Sequence, residues 1–188
     1  MSTLRERNFR RLRESIAGET SDGHAVFNFY TFPYFRAVTG VDLDDYFHNP
    51  EVTLKSQIEG LELVEGIGNP LPDMGAVAEA SGLGGVIAFD DNGFISAHPN
   101  PRIAEAETVE DLDWLEPGDP YGDNYMGQAL KTLEYMVAHC PEGYRVNPHP
   151  VMGPYTVGST IRGISEFAMD TLMEPDLVNK VLDVVVET

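Results

Sequence analysis

The stretch Val151-Met-Gly-Pro-Tyr-Thr-Val-Gly-Ser-Thr-Ile-Arg-Gly163, with the run that follows it to Thr188, decides the fold of this chain. An apolar segment ends in a Gly153-Pro-Tyr-Thr156 turn, the pattern of a strand end entering a new element. Helical spacing follows from about Val157 to Leu172. The Glu174-Pro175-Asp176 step then restarts a helix to Glu187, with Pro175 near the first helical position, where its missing N–H costs nothing.

Working back, Tyr144–Met152 is the strand candidate that feeds this turn, made irregular by Pro148 and Pro150. Gly127–His139 reads as a helix with Leu130, Leu133, Met136 and Val137 inward, ended by Pro141-Glu-Gly143. Residues 99–124 form a long acidic excursion anchored by Trp114 and Leu115. Val86–Phe89 and Gly93–Ala97 flank Asp90-Asp-Asn-Gly93, a hairpin signal. Gly66–Met74 is a Gly- and Pro-rich loop carrying Asn69 and Asp73, and Val77–Ala80 is helical or extended.

Nearer the N-terminus, Leu4, Phe9, Leu12 and Ile16 predict a basic-faced helix over residues 3–17, closed by Gly18. Ala25–Tyr30 has strand character. A turn and short helix cover Thr31–Gly40. Helices are predicted at Asp42–Phe47 and Asn49–Glu65, the latter capped by Asn49 with Pro50 first and carrying Leu54, Ile58, Leu61 and Val64 or Glu65 inward. Alternating strands and helices, with one hairpin insert, indicate an α/β fold with a parallel sheet.

The chain has 188 residues, enough for one ordinary core. Its 31 acidic and 12 basic residues give a net charge of −19. A surface so acidic excludes nucleic acid and anionic membrane as expected partners. No apolar run approaches the ~20 residues of a membrane span, and the N-terminus lacks the apolar core of a signal peptide, so a cytoplasmic location is expected. Cys140 is alone, so no internal disulfide is expected. His139-Cys140 sits at a helix end and is a poor metal pair. His24 and His48 are expected to be exposed. Gly82-Leu-Gly-Gly85 lacks the strand-to-helix setting of a phosphate loop.

The Gly153-Pro-Tyr-Thr156 turn and Pro175-Asp-Leu-Val-Asn-Lys-Val-Leu182, at their present separation, resemble the uroporphyrinogen decarboxylase superfamily. That superfamily includes the porphyrinogen decarboxylases and methyltransferases that take methyl groups from corrinoid proteins. Thr39–Glu51, Glu107–Leu115 and the opening helix look like weaker landmarks of the same family. The resemblance implies a (β/α)8 barrel in which the Gly153–Thr156 block lies near the middle. A full barrel needs roughly 250 residues. Residues 1–188 are therefore expected to form the N-terminal half, about four βα units with a hairpin insert, the second half being absent.

The resemblance also implies a site. Asp73, followed nine residues later by Gly82, matches the strand-end Asp that faces the pyrrole nitrogens in the decarboxylases, and is the candidate catalytic residue. An Asp that caps the following helix is the alternative. Tyr30, Asn69, His149, Tyr155, Thr156 and Thr160 are candidate substrate-binding residues, and Asp73 and Thr156 are expected in one concave site. The decarboxylase signature is missing. Val26 and Tyr30 occupy the places of two carboxylate-holding arginines, and neither replaces a bidentate guanidinium. Thr160 stands where the decarboxylases have a tyrosine.

The apolar Phe27–Phe32 mouth is closer to the methyltransferase branch. The resemblance therefore implies methyl transfer linked to a corrinoid protein rather than porphyrinogen decarboxylation. The expected partners are a small-molecule substrate or a corrinoid protein. Zinc ligands in that branch come from the second barrel half, so no cofactor is expected on this half alone, with zinc or corrinoid belonging to the complete enzyme. The alternative is a non-catalytic half-barrel, a fragment or a subunit completed by a second chain or by a second copy. Such a half would leave a sheet edge and an apolar face without partners.

Overall fold

The computed structural model of the chain describes residues 4–19, 22–24, 31–64, 66–90 and 93–188. Val26, Tyr30 and the expected Ala25–Tyr30 strand lie outside the described residues. The chain divides into two compact units. One comprises Met1–Pro72 and Thr132–Pro148, the other Asp73–Lys131 and His149–Thr188.

The first unit is helical. α1 (Leu4–Ile16) ends before Gly18, whose φ of 73° is the left-handed geometry of a helix stop. α2 (Phe32–Thr39), α3 (Leu43–His48) and α4 (Pro50–Leu63) follow closely. Asp42 starts α3 by accepting the N–H groups of Asp44 and Asp45. Asn49 starts α4 by accepting those of Glu51 and Val52, with Pro50 first in the helix as the sequence predicts. The core is aromatic. Phe32 meets Phe47 edge-on at 5.1 Å, and Phe35 stacks with Tyr46 at 6.3 Å. Leu54 and Leu61 close it from α4.

One polar network lies inside this core. Gln57 donates from Nε2 to the Tyr46 hydroxyl and to the Leu71 carbonyl, and its Oε1 accepts the Leu71 N–H. A side chain thus fills the lateral bonds that a neighbouring strand would make to Leu71.

The second unit holds α5 (Ala78–Gly82), the strands β1 (Val86–Phe89) and β2 (Ile95–His98), α6 (Pro101–Ala104) and a one-turn 3-10 helix at Glu110–Leu112. β1 and β2 are antiparallel, with Val86 opposite His98 and Phe89 opposite Ile95. The predicted hairpin is present. Asp90 ties its end by accepting the Phe94 N–H, and Gly93 has a φ of 76°. α7 (Tyr125–His139) begins in this unit, capped by Asn124, and its residues from Thr132 on count with the first unit. α8 (Pro154–Arg162), α9 (Ile164–Met173) and α10 (Pro175–Glu187) complete the second unit. Its core is one apolar cluster of Leu177, Val181 and Val184 from α10, Val157 and Ile161 from α8, and Phe167 from α9. Ile103, Leu112 and Leu115 of the 99–124 excursion join it, while Trp114 is half-buried at its margin.

Three expectations need correction. The single helix over Val157–Leu172 is two helices, because Gly163 at φ 110° reverses the chain between α8 and α9. Val137 is not inward but 67% exposed, since the inward face of α7 is set by Met136 and Ala129. Among the described residues the only sheet is the antiparallel hairpin, and no parallel strand pair is present. Tyr144–Met152 carries no ladder. One backbone bond, Asn147 N–H to the Pro70 carbonyl, links it to the Gly66–Pro72 segment. Pro148 and Pro150 bring no N–H to extend that pairing.

Candidate functional site

Asp73 opens the second unit and is buried, at 5% exposure. Its Oδ1 accepts the N–H of Gly75 at 3.1 Å, and Gly75 has a φ of 60°. The carboxylate closes this turn. It does not cap α5, whose first residue is preceded by Val77 with no side-chain cap. A buried, turn-fixed carboxylate at the end of an extended segment can accept N–H donors from a bound molecule with little reorganisation.

Six residues further on stands Glu79, inside α5 and 8% exposed. Its Oε1 accepts the Met152 N–H at 3.0 Å, which ties α5 to the segment leading into α8. Its Oε2 is buried and has no hydrogen-bond partner among the described residues. A buried carboxylate oxygen without a donor costs on the order of 1–3 kcal/mol or more, and such atoms are uncommon outside functional sites.

The remaining candidates of this unit cluster around the start of α8. His149 is half-buried four residues before Gly153. Tyr155 is half-exposed and sets its ring edge-on against Phe167 at 5.1 Å. The Thr156 side chain is exposed, and its carbonyl accepts the hydroxyls of Ser159 and Thr160. Thr160 therefore turns its hydroxyl back onto its own helix, at 2.8 Å.

Asn69 lies in the first unit. Its Oδ1 accepts from Arg5 Nη2 at 3.2 Å and from the Arg145 backbone N–H at 3.2 Å. It lines a cavity of about 470 Å³ with Glu6, Phe9, Arg13, Gly143 and Arg145. Tyr30 is outside the described residues.

The donor set does not fit zinc. Among the described residues no group of three or more His, Cys, Asp or Glu side chains could hold a metal ion. His139 stacks on Tyr135 at 4.1 Å and bonds that residue's carbonyl through Nδ1. Burial pushes the Cys140 thiol up, with Arg5 opposing, so it is not an activated thiolate. No step below is routed through a metal. His24 and His48 are exposed, as expected.

Sequence reasoning passed over Glu79, Arg13, Arg145 and Arg162. Glu79 had a signal: a single charge between Ala78 and Ala80 in a short buried helix. Arg162 ends α8, and nothing in its spacing distinguishes a buried arginine from a surface one. Arg13 and Arg145 are far apart in sequence, and only folding places both on one cavity.

No protein-family profile matches the sequence, and no curated protein sequence matches it. No helix among the described residues is long and apolar enough to cross a membrane. Among solved structures, a methyltransferase from Methanosarcina mazei is similar, with a TM-score of 0.65 and 19% sequence identity. The similarity covers 100% of this chain and 53% of that one. The chain thus shares, over its whole length, the fold of about half of a methyltransferase.

Proposed function

We propose that this chain is the N-terminal half of a (β/α)8 barrel of the uroporphyrinogen decarboxylase superfamily, and that it serves methyl transfer linked to a corrinoid protein. The observation that carries this reading is the likeness in fold to a methyltransferase along the entire chain. Support from the sequence is independent of it. Val26 and Tyr30 stand where porphyrinogen decarboxylation requires carboxylate-holding arginines. In this reading Asp73 orients the substrate, and Tyr155, Thr156, Thr160 and His149 shape its surroundings. The substrate is a small molecule, and zinc or corrinoid enters with the other half of the barrel.

The test combines this chain with a second chain supplying a barrel half with His and Cys ligands. The mixture receives methylcobalamin and a small thiol. Thiol-dependent loss of the methylcobalamin absorbance is expected, falling about 100-fold in Asp73→Ala, the size of a lost positioning contact. Formation of coproporphyrinogen from uroporphyrinogen would overturn the assignment.

A second reading is a non-catalytic half-barrel completed by another chain or another copy. The exposed apolar residues of α9 favour it: Ile164, Met169, Leu172 and Met173 are 64–85% exposed. Sedimentation at low micromolar concentration separates the cases. A compact monomer with one cooperative thermal transition would remove this reading.

A further inference from the structure

The cavity of the first unit carries an inference that uses none of Asp73, Tyr155 or Thr156. Its wall combines one aromatic ring, Phe9, with two arginines, Arg13 and Arg145, one carboxylate, Glu6, and the amide of Asn69. Its volume, about 470 Å³, lies in the usual range for small-molecule sites.

The arginines of α1 differ in their partners. Arg10 and Arg11 are neutralised by Asp22, at 2.7 and 2.9 Å. Arg5 is held in place. It donates to the Gly66 carbonyl and to Asn69 Oδ1, and its guanidinium lies 4.0 Å from the centre of the Tyr144 ring. Arg13 and Arg145 differ from these. Among the described residues neither guanidinium has an ion-pair or hydrogen-bond partner. Two exposed arginines thus share one cavity without an acidic partner among the described residues, although the chain has 31 acidic residues. A guanidinium offers five N–H donors in a fork that fits carboxylate or phosphate oxygens.

Asn69 sharpens the point. Its Oδ1 takes two donors, from Arg5 and from the Arg145 backbone. With Oδ1 so occupied, the amide nitrogen keeps two N–H groups able to donate to a molecule in the cavity that Asn69 lines. Arg5 Nε is buried with no acceptor among the described residues, which adds a further donor. The lining thus has donors in excess and a single carboxylate. Phe9 gives the apolar surface that an inorganic anion would not need, and the Arg5 guanidinium, 5.2 Å from its centre, fixes the ring from outside.

We propose that this cavity binds a small organic anion, its carboxylate or phosphate held by Arg13, Arg145 and the Asn69 amide, and its apolar part set against Phe9.

The full chain would be titrated with benzoate, phenyl phosphate, inorganic phosphate and neutral benzyl alcohol, followed by calorimetry and by NMR shifts of α1 amides. Benzoate or phenyl phosphate is expected to bind with a Kd below about 1 mM at low salt. Which of the two binds tighter identifies the anionic group. Arg13→Gln and Arg145→Gln should each weaken binding about tenfold, and Phe9→Ala should weaken the organic anions without affecting inorganic phosphate. Both arginines are exposed, so unchanged melting temperatures are expected and would confirm intact folding. Benzyl alcohol binding as tightly as benzoate, undiminished binding in the Arg13→Gln/Arg145→Gln double variant, or no binding by either organic anion would overturn the proposal. Inorganic phosphate binding as tightly as phenyl phosphate would overturn the organic part of it.

Discussion

Arg162 and Asp170 form a buried ion pair across the chain reversal between α8 and α9, with Nε and Oδ2 at 2.8 Å. Arg162 is 7% and Asp170 9% exposed. The guanidinium does more than neutralise a carboxylate. Its Nη1 donates to the carbonyls of Ile103, Ala104 and Ala106, at and just beyond the C-terminal end of α6, and the Ile103 carbonyl also accepts the N–H groups of Glu105 and Ala106. One side chain therefore fastens the 99–124 excursion to the α8–α9 corner.

Removing one partner of such a pair strands the other. Asp170→Ala is expected to cost about 3–5 kcal/mol. Arg162→Lys should fail to restore stability, because an ammonium cannot serve a carboxylate and three carbonyls from one plane. Urea denaturation of the variants checks this; a loss under about 1 kcal/mol for Asp170→Ala would show that the pair is not desolvated.

Gly158 is packed against the ring of Phe167. A Cβ built at Gly158 would lie 2.8 Å from Phe167 Cζ. Gly158→Ala should therefore destabilise by about 1–3 kcal/mol through overpacking, although alanine favours helices. Phe167→Leu in the same background should cost less than the two single changes added together. Additive losses in thermal or urea unfolding would contradict the close contact.

Gln57 serves three groups at once, one buried and two partly buried. Gln57→Leu leaves the Tyr46 hydroxyl and both backbone groups of Leu71 without their partner, and about 3 kcal/mol of stability is expected to go with them. Tyr46→Phe removes one donor-acceptor pair and should cost about 1 kcal/mol. Equal losses in chemical denaturation would mean that the Leu71 bonds contribute nothing.

Asp22 is exposed, and its carboxyl is lowered from 3.8 to about 2, first by the Arg11 hydrogen bond and then by that of Arg10. The folded value lies below the unfolded one. The tether of α1 is thus fully present above the ordinary carboxylate range and is lost as pH falls through about 2. Carbon-13 NMR titration of the Asp22 carboxyl should show a midpoint near 2, rising in Arg11→Gln and with added salt. A midpoint at the ordinary value would show that the pairing seen in the fold does not persist in solution.

Local chemistry explains which parts of the fold were legible. Asn49-Pro50, Pro175 and the Asn-Gly pair before β2 act within a few residues, through capping, a fixed φ and turn geometry. The helices and the hairpin they mark are where the pattern places them. Gly163 was misjudged for a related reason. A glycine inside a helical pattern is tolerated, and only its actual φ of 110° separates a chain reversal from a continuing helix. The strand candidate failed differently. The pattern predicts a strand at Tyr144–Met152 and a loop at Gly66–Met74, but ladders depend on partners distant in sequence. Leu71 bonds Gln57, and Met152 bonds Glu79.

The sequence alone determined the chain's acidity, most helix starts, the hairpin, and the turn that leads into α8. Each rests on short-range sterics or on composition, which need no knowledge of neighbours. Tertiary structure decided what the charged residues do. Arginines 10, 11, 13, 145 and 162 are chemically identical. One is buried against Asp170 and three carbonyls, two are paired with Asp22, and two, without partners among the described residues, line the cavity beside Phe9. Those differences arise from desolvation and from donors and acceptors brought together across tens of residues, and no local pattern records them.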